Sequence, residues 1–285
     1  MQTYPAVDIS AITSGLILGD DGIWHTPGGN AISYPPDGNE SCFAVEDNSF
    51  WFRHRNCCIV SVVNSFPPLH GGTIFDIGGG NGFVSLGLAD AGYDVALIEP
   101  GRAGASNARK RGIGNVICGT TETAQFKERV MPAVGLFDVI EHIEDHLSFL
   151  KSISLLLKHG GLLYATVPAL PLLWSEEDAL AGHFRRYTLN SICDTVRSSG
   201  FEIVFASYLF RLLPLPILLS RVLPYRIGIT SRQKGSAKAS RDHAVEGGML
   251  VSMMNRVLAA EVENLKHKRP MRAFGGSCLV VARCS

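Results

Sequence analysis

Three groups of residues in this chain have the types and spacing to do chemistry. The first is Asp76-x-Gly78-x-Gly80-x-Gly82, inside "FDIGGGNGF" at residues 75–83. The second is a pair of acids that end apolar runs. These are Glu99 in "LIEP" and Asp138 in "LFDVIEHIEDH", the latter leading into Glu141 and His142. The third is "GHFRRYT", residues 182–188, with His183, Arg185, Arg186 and Tyr187. Bare glycines after a strand let a ligand approach the main chain closely. A dinucleotide-binding G-x-G-x-x-G loop needs a small residue where Phe83 stands, and it seats a pyrophosphate on the helix N-terminus. Asp76 beside the loop would repel a phosphate and attract a cation or an ammonium group. Glu99 can accept hydrogen bonds from both hydroxyls of a ribose. The ligand these residues specify is a nucleoside with a positive, phosphate-free tail. For the glycines alone, a tight helix-packing turn in some other α/β protein is the competing reading.

The elements that must position these groups alternate from Thr73 onward. Strands are expected in "TIFDIG", "DVALIEP", "GNVICG", "AVGLFDVI", "LLYATVP" and "FEIVFASYLF". Helices are expected in "GFVSLGLADAG", "GASNARKRG", "EDHLSFLKSISLLLKHGG" and "TLNSICDTVRSSG", with Gly160-Gly161 stopping the third. Glu144 and Asp145 read as acids at a helix start and Thr188 as an N-cap. This rhythm argues a doubly wound α/β sheet. Upstream, a hairpin is expected with Pro27-Gly28-Gly29-Asn30 as its turn, then a helix over 43–66. Downstream, 230–243 reads as a mobile loop, "MLVSMMNRVLAAEVENLKH" as an amphipathic helix and "SCLVVARC" as a last strand. Met249, Met253 and Met254 read as core packing. The division expected is 1–66 as an N-terminal cap, 67–210 as the cofactor-binding core and 211–285 as a substrate cover.

Composition narrows the class. The chain has 285 residues, 46% of them hydrophobic and 18% charged, with zero formal net charge. That balance suits a globular chain and gives no electrostatic footprint for nucleic acid. Seven cysteines occur without a CxxC spacing, which reads as buried small hydrophobes in a reducing compartment. The N-terminus carries no basic n-region. The most apolar stretch, 209–228, is broken by Arg211, Arg221, Pro214, Pro216 and Pro224, so no bilayer span is expected and the cytoplasm is the expected location. Residues 209–229 read either as a buried connection beneath the C-terminal helix or as an apolar cover, one that admits a lipid-like substrate or touches a membrane surface.

"FDIGGGNG", "LIEP" and "LFDVIEHIEDH", in this order and spacing, resemble the class I S-adenosylmethionine-dependent methyltransferases. "GGLLYATVPA" and "GHFRRYT" extend the likeness. "NSFWFRHRN" and "FGGSCLVVARC" are similar to one branch of small-molecule methyltransferases, so the resemblance covers about residues 40–285. It implies a seven-stranded, mostly parallel Rossmann-like sheet with S-adenosyl-L-methionine as cofactor. It places Asp76, Gly78, Gly80 and Gly82 around the methionine tail, Glu99 and Pro100 at the ribose, and Asp138 near the transferring methyl. Many relatives carry an aspartate for the adenine amino group where this chain has Gly119-Thr120-Thr121. Thr120 or a backbone group is the expected substitute. "FWFRHRN" reads as a lid helix with Arg53 on the methionine carboxylate, or else as ordinary packing by Trp51 and Phe52.

Methyl transfer is an in-line displacement that depends on orientation, with a base for an oxygen or nitrogen nucleophile. His142 is the expected base, grouped with Glu141 and His183. Arg185, Arg186 and Tyr187 are expected to recognise an anionic or hydroxylated substrate, and Trp174 to wall the pocket. Asp138, Glu141 and His142 also resemble the Mg²⁺ segment of ubiquinone-pathway and small-RNA O-methyltransferases, with His183 completing the set. The alternative is that they shape the pocket and cap the next helix. The expected activity is methyl transfer to an oxygen, or secondarily a nitrogen or carbon, of a small molecule or a glycan- or lipid-linked metabolite. Two rivals stand beside it. One is a nicotinamide-dependent oxidoreductase, against which Phe83 counts. The other is a non-catalytic nucleoside-binding module of the same fold.

Overall fold

A computed structural model describes residues 7–27, 42–43, 45–226 and 249–285. The turn at 28–30, the stretch 230–243 and the side chains of Met249 and Met253 lie outside the described residues. The strands are β1 (Ile17–Leu18), β2 (Trp24–His25), β3 (Ile74–Ile77), β4 (Val95–Glu99), β5 (Asn115–Cys118), β6 (Met131–Phe137), β7 (Leu157–Pro168), β8 (Phe201–Leu209) and β9 (Ser277–Cys284). They form one nine-stranded sheet in the order β1-β2-β5-β4-β3-β6-β7-β9-β8. From β3 to β7 the pairing is parallel, and β9 inserts antiparallel between β7 and β8. The seven-stranded Rossmann-like sheet is therefore present, and the two-residue β1 and β2 add to its edge. The chain winds outward from β3 through β4 to β5, then returns to β6 on the other side. That reversal opens a crevice beyond the carboxyl ends of β3, β4 and β6, which is where open α/β sheets bind ligands.

Strands buried on both faces carry continuous apolar runs, and alternate residues serve opposite layers. In β6, Val134 and Leu136 pack with Leu150, Ile153, Ile192 and Val196 of the helices His146–Leu156 and Leu189–Ser198. Ala133 and Phe137 join the other layer. There Cys58, Ile59 and Val62 of the helix Phe50–Ser65 meet Leu88, Leu258 and Leu265, with Met254 half-buried against them. A polar knot fastens this second layer. His54 Nε2 lies 3.0 Å from Glu261 Oε1, and the Glu261 carboxylate accepts from the main-chain N–H of Phe210 at 2.7 Å.

Local chemistry accounts for the boundaries. The first long helix starts at Phe50 rather than 43, because the Ser49 hydroxyl accepts from the Phe52 N–H. Asp145 and Thr188 cap their helices, accepting from Ser148 N at 3.0 Å and Ser191 N at 3.1 Å. Gly160-Gly161 does not stop the helix. It lies within β7, and Gly160, at φ 74°, sits where pairing with β6 breaks step between Met131 and Ala133. The N-terminal hairpin pairs β2 with β1 through a turn in which Gly19 N donates to Ile23 O at 2.9 Å. The partner of Trp24 thus precedes it instead of following it. All seven cysteines are thiols. Five are buried, whereas Cys57 is exposed and Cys42 half-buried.

Gly82 caps the helix Phe83–Asp90 at φ 78°, and a Cβ there would stand 2.9 Å from the Ala108 Cβ. Gly82→Ala is expected to lower the unfolding free energy by about 1–3 kcal/mol. An unchanged urea midpoint would show that the loop yields.

Candidate active site

A cavity of about 850 Å³ opens over the carboxyl ends of β3, β4 and β6. At one end, the loop after β3 turns through Gly78 and Gly80 at φ 71° and 53°, and both line the cavity. A side chain at Gly78 would strike Val139. Asp76 is buried at the loop's base. One carboxylate oxygen accepts from Ser85 Oγ at 2.6 Å, and no described residue bonds Oδ1. Burial pushes its pKa up to about 6. A cavity-lining carboxylate with an orphaned oxygen could accept from an ammonium group, whose charge would return the carboxylate to its ionised form. Glu99 also lines the cavity. Its two oxygens accept from Gly80 N at 3.0 Å and Gly101 N at 2.7 Å, and burial raises it to about 7. A carboxylate has about four lone-pair sites, so two remain for the hydroxyls of a ribose. Pro100 and Thr120 line the same end, beside Ile98.

Arg53 is exposed and lines no part of the cavity. Two positions is about 200° of helical turn, and it is Arg55 that enters the cavity. Arg55 is buried between Trp51 and Phe52, its guanidinium carbon 4.8 and 5.5 Å from their rings. Its Nη1 pairs with Asp138, and no described residue bonds its Nε. Sequence reasoning missed Arg55 by reading the motif without its helical phase. It also missed Asn81 and Glu46. Asn81 donates to Glu46 Oε1 at 3.2 Å, and Glu46 in turn meets Arg111 Nη2 at 2.9 Å, bracing the glycine loop. These residues together fit S-adenosylmethionine: an acid for its ammonium, an arginine beside the loop for its carboxylate, and a second acid for its ribose.

At the other end stand Glu141, His142 and His183. Glu141 is fully buried and burial lifts it to about 8, with neither oxygen bonded by a described residue. Burial, above all, holds His142 near 4, so its imidazole is neutral. The two histidine rings meet edge to face at 4.7 Å. Asp178, which the sequence reading passed over, accepts at Oδ1 from His183 Nδ1 at 2.9 Å and from Arg186 Nε at 2.8 Å. Asp178 stays below the usual carboxylate range, because the bonds from His183 and Arg186 outweigh the opposing effect of its burial. The signal was available in "SEED": Ser175 and Asp178 form a capping box that fixes the aspartate.

Of the substrate residues expected, Arg186 lines the cavity and three others do not. Arg185 donates to the carbonyls of Ile143 at 2.6 Å and Glu144 at 2.8 Å, a structural clamp. Tyr187 is buried in the core, with its hydroxyl 2.6 Å from His146 Nδ1. Trp174 lies outside the lining. The Asp138 carboxylate is engaged by Arg55 Nη1 and by Thr166 Oγ1, so the acid-x-x-Glu-His set is not assembled for a cation. Glu141, His142 and His183 do offer one ligand atom each within 4.8 Å of one another. One carboxylate and two imidazoles are not the oxygen set that Mg²⁺ takes, so Mg²⁺ does not fit.

The switch-point crevice, with the glycine loop over Asp76 and with Glu99 beside it, is the place where a doubly wound sheet takes a nucleotide or nucleoside. Residues 51–205, more than half of the chain, match the family model of a methyltransferase domain, and the chain belongs to that family. It is a class I S-adenosylmethionine-dependent methyltransferase. Over 103 residues it is 31% identical to the ubiquinone biosynthesis O-methyltransferase of Caulobacter vibrioides, a match spanning 34% of this chain and 41% of that enzyme. Among solved structures, phosphoethanolamine N-methyltransferase 2 of Haemonchus contortus in complex with S-adenosyl-L-methionine aligns with a TM-score of 0.53 at 16% identity, over 88% of this chain and 58% of that one. A SAM-dependent methyltransferase of Thermotoga maritima aligns with 0.53 at 17%, over 86% and 94%. At such identities the structural likeness speaks for the fold. No described helix is long and apolar enough to cross a membrane.

Proposed function

We propose that this enzyme moves a methyl group to an oxygen of a small molecule or of a glycan- or lipid-linked metabolite, with His183 as proton acceptor. The observation that carries this is the Asp178–His183 pair at the far end of the cavity, with Nδ1 held at 2.9 Å. A carboxylate on Nδ1–H fixes the tautomer, leaves Nε2 as the base and stabilises the imidazolium that forms. Glu141, His142 and Arg186 flank that base, and Pro168, Leu213 and Ile217 supply apolar wall for the acceptor. Bound S-adenosylmethionine supplies an electrophilic methyl on a sulfonium. Asp76 and Arg55 would hold its amino-acid tail, Glu99 its ribose and Thr120 the adenine end. Asp138, paired with Arg55, positions that arginine. Water exclusion falls to Trp51 and Phe52 over the cavity. The relative's printed name, an O-methyltransferase, supports oxygen as the acceptor atom.

The test is a methyl-labelled cofactor offered with hydroxyl and amine acceptors. Label on hydroxyl acceptors, lost in His183→Ala, supports the reading. Label confined to amines, or transfer undiminished in that variant, overturns it. Cofactor binding checks the lid. Arg55→Ala is expected to weaken S-adenosylmethionine by at least about tenfold, the size of a charge-assisted hydrogen bond, while Arg53→Ala stays within about twofold. Equal losses at both positions in calorimetric titration would remove Arg55 from the site.

A further inference from the structure

Three side chains outside the cavity converge where the lid helix meets the C-terminal helix. His54 and Cys58 stand four apart on the helix Phe50–Ser65 and share a face. That face meets Glu261 of the helix Met249–Lys266. All three are buried, Cys58 fully, Glu261 to 3% exposure and His54 to 8%. None of them lines the cofactor cavity. His54 Nε2 lies 3.0 Å from Glu261 Oε1, and Cys58 Sγ lies 3.4 Å from that nitrogen and 3.9 Å from that oxygen. A nitrogen, a sulfur and an oxygen thus close a triangle.

An ion pair alone does not explain the triangle. Pairing His54 with Glu261 needs one proton between nitrogen and oxygen, and it leaves the thiol with weak contacts. The edges suit three corners of a tetrahedron. Zinc holds sulfur at about 2.3 Å and nitrogen and oxygen at about 2.0–2.2 Å, which sets tetrahedral ligand atoms about 3.3–3.6 Å apart. Each observed edge lies within about 0.4 Å of that range. The charges balance as well. A thiolate and a carboxylate cancel a divalent cation, which leaves the site neutral where a buried net charge would be costly. Thiolate with imidazole selects zinc over magnesium or calcium. The carboxylate is braced as zinc ligands are, with Oε1 accepting from Phe210 N at 2.7 Å and Oε2 from Arg211 N at 3.3 Å.

We propose that His54, Cys58 and Glu261 bind a zinc ion that fastens the lid helix to the C-terminal helix. The ion takes the place of the proton between Nε2 and Oε1, the imidazole keeps its proton at Nδ1, and the thiol proton leaves to solvent. A water or the second oxygen of Glu261 fills the fourth position. The role is structural. The His54 ring meets the Phe210 ring edge to face at 5.1 Å, and Phe210 stacks on Trp51 at 5.3 Å. The ion therefore steadies the helix that brings Trp51 and Arg55 to the cavity, whichever acceptor the enzyme methylates.

The test is cobalt, which occupies zinc sites and reports a thiolate ligand as a near-ultraviolet charge-transfer band. The full chain, reduced and prepared with chelator, is titrated with Co²⁺ and then with Zn²⁺. The expected result is a thiolate band that saturates at one cobalt per chain and is discharged by zinc. It should survive in Cys57→Ser and be lost in Cys58→Ser, with zinc affinity lowered at least about tenfold in the latter. Glu141, His142 and His183 bring no sulfur, so a cation there leaves the band silent. Wild-type protein without a thiolate band overturns the proposal, whatever the variants do. So does a band kept in Cys58→Ser and lost in Cys57→Ser, which would give the metal to the exposed thiol.

Discussion

Asp76→Asn is expected to lose about a hundredfold in affinity for S-adenosylmethionine and yet to melt at a higher temperature than wild type at pH 8. The loss follows from leaving a buried ammonium without its carboxylate, about 2–3 kcal/mol. The gain follows from linkage. Folding raises Asp76 from 3.8 to about 6 by desolvation, so the protonated form favours the folded state. Its stabilising contribution is whole below about pH 4 and is lost as pH climbs through 6. Two pKa units correspond to about 3 kcal/mol withheld above that pH. Asparagine, which can still accept from Ser85, is relieved of this penalty. Glu99, raised to about 7, and Glu141, raised to about 8, act in the same direction. Buried His142, held near 4, works the other way below about pH 6.5, so the ligand-free protein should melt at progressively lower temperature from pH 6.5 to pH 8.5. Melting curves at three pH values, with and without cofactor, check both statements. A wild-type melting temperature that rises across this window would mean that these acids are not strained.

His183→Ala is expected to lower turnover by about 10²–10⁴ while cofactor affinity stays within about twofold. His183 contacts the acceptor end of the cavity and not the glycine loop, so the two readouts separate. Asp178→Asn should lower turnover in the same sense, because an amide can present the wrong partner to Nδ1 and lets the ring settle in the other tautomer. Since Asp178 also anchors Arg186, its variant is the less selective probe. If His183→Ala and wild type turn over alike, or if both cofactor affinity and turnover fall together, the histidine shapes the pocket and is no base.

The glycine loop was legible because its demands are on the backbone. Positive φ at Gly78, Gly80 and Gly82 leaves a mark in residue type that needs no tertiary context. Asp76 and Glu99 were legible because acids at strand ends are rare enough to carry meaning. Arg55 was not, because a run such as "FWFRHRN" offers two arginines and only helical phase against the rest of the fold decides between them. Arg185 and Arg186 pose the same problem as neighbours on an irregular turn, one clamping carbonyls and the other facing the cavity. Asp178 was hidden by its helix-capping geometry, which gives an acid a structural explanation before a chemical one. Tyr187 looked like a recognition residue because an exposed tyrosine after two arginines would be one; long-range packing under β7 and β9 buried it.

The central claim is that the loop after β3 receives a cationic nucleoside that lacks phosphate. Calorimetric titration of the full chain with S-adenosylmethionine and, separately, with NAD⁺ tests it most directly. Saturable single-site binding of the first and no heat from the second is the predicted outcome. Tight binding of NAD⁺ with none of S-adenosylmethionine would contradict the reading of Asp76, and the assignments built on it would go too.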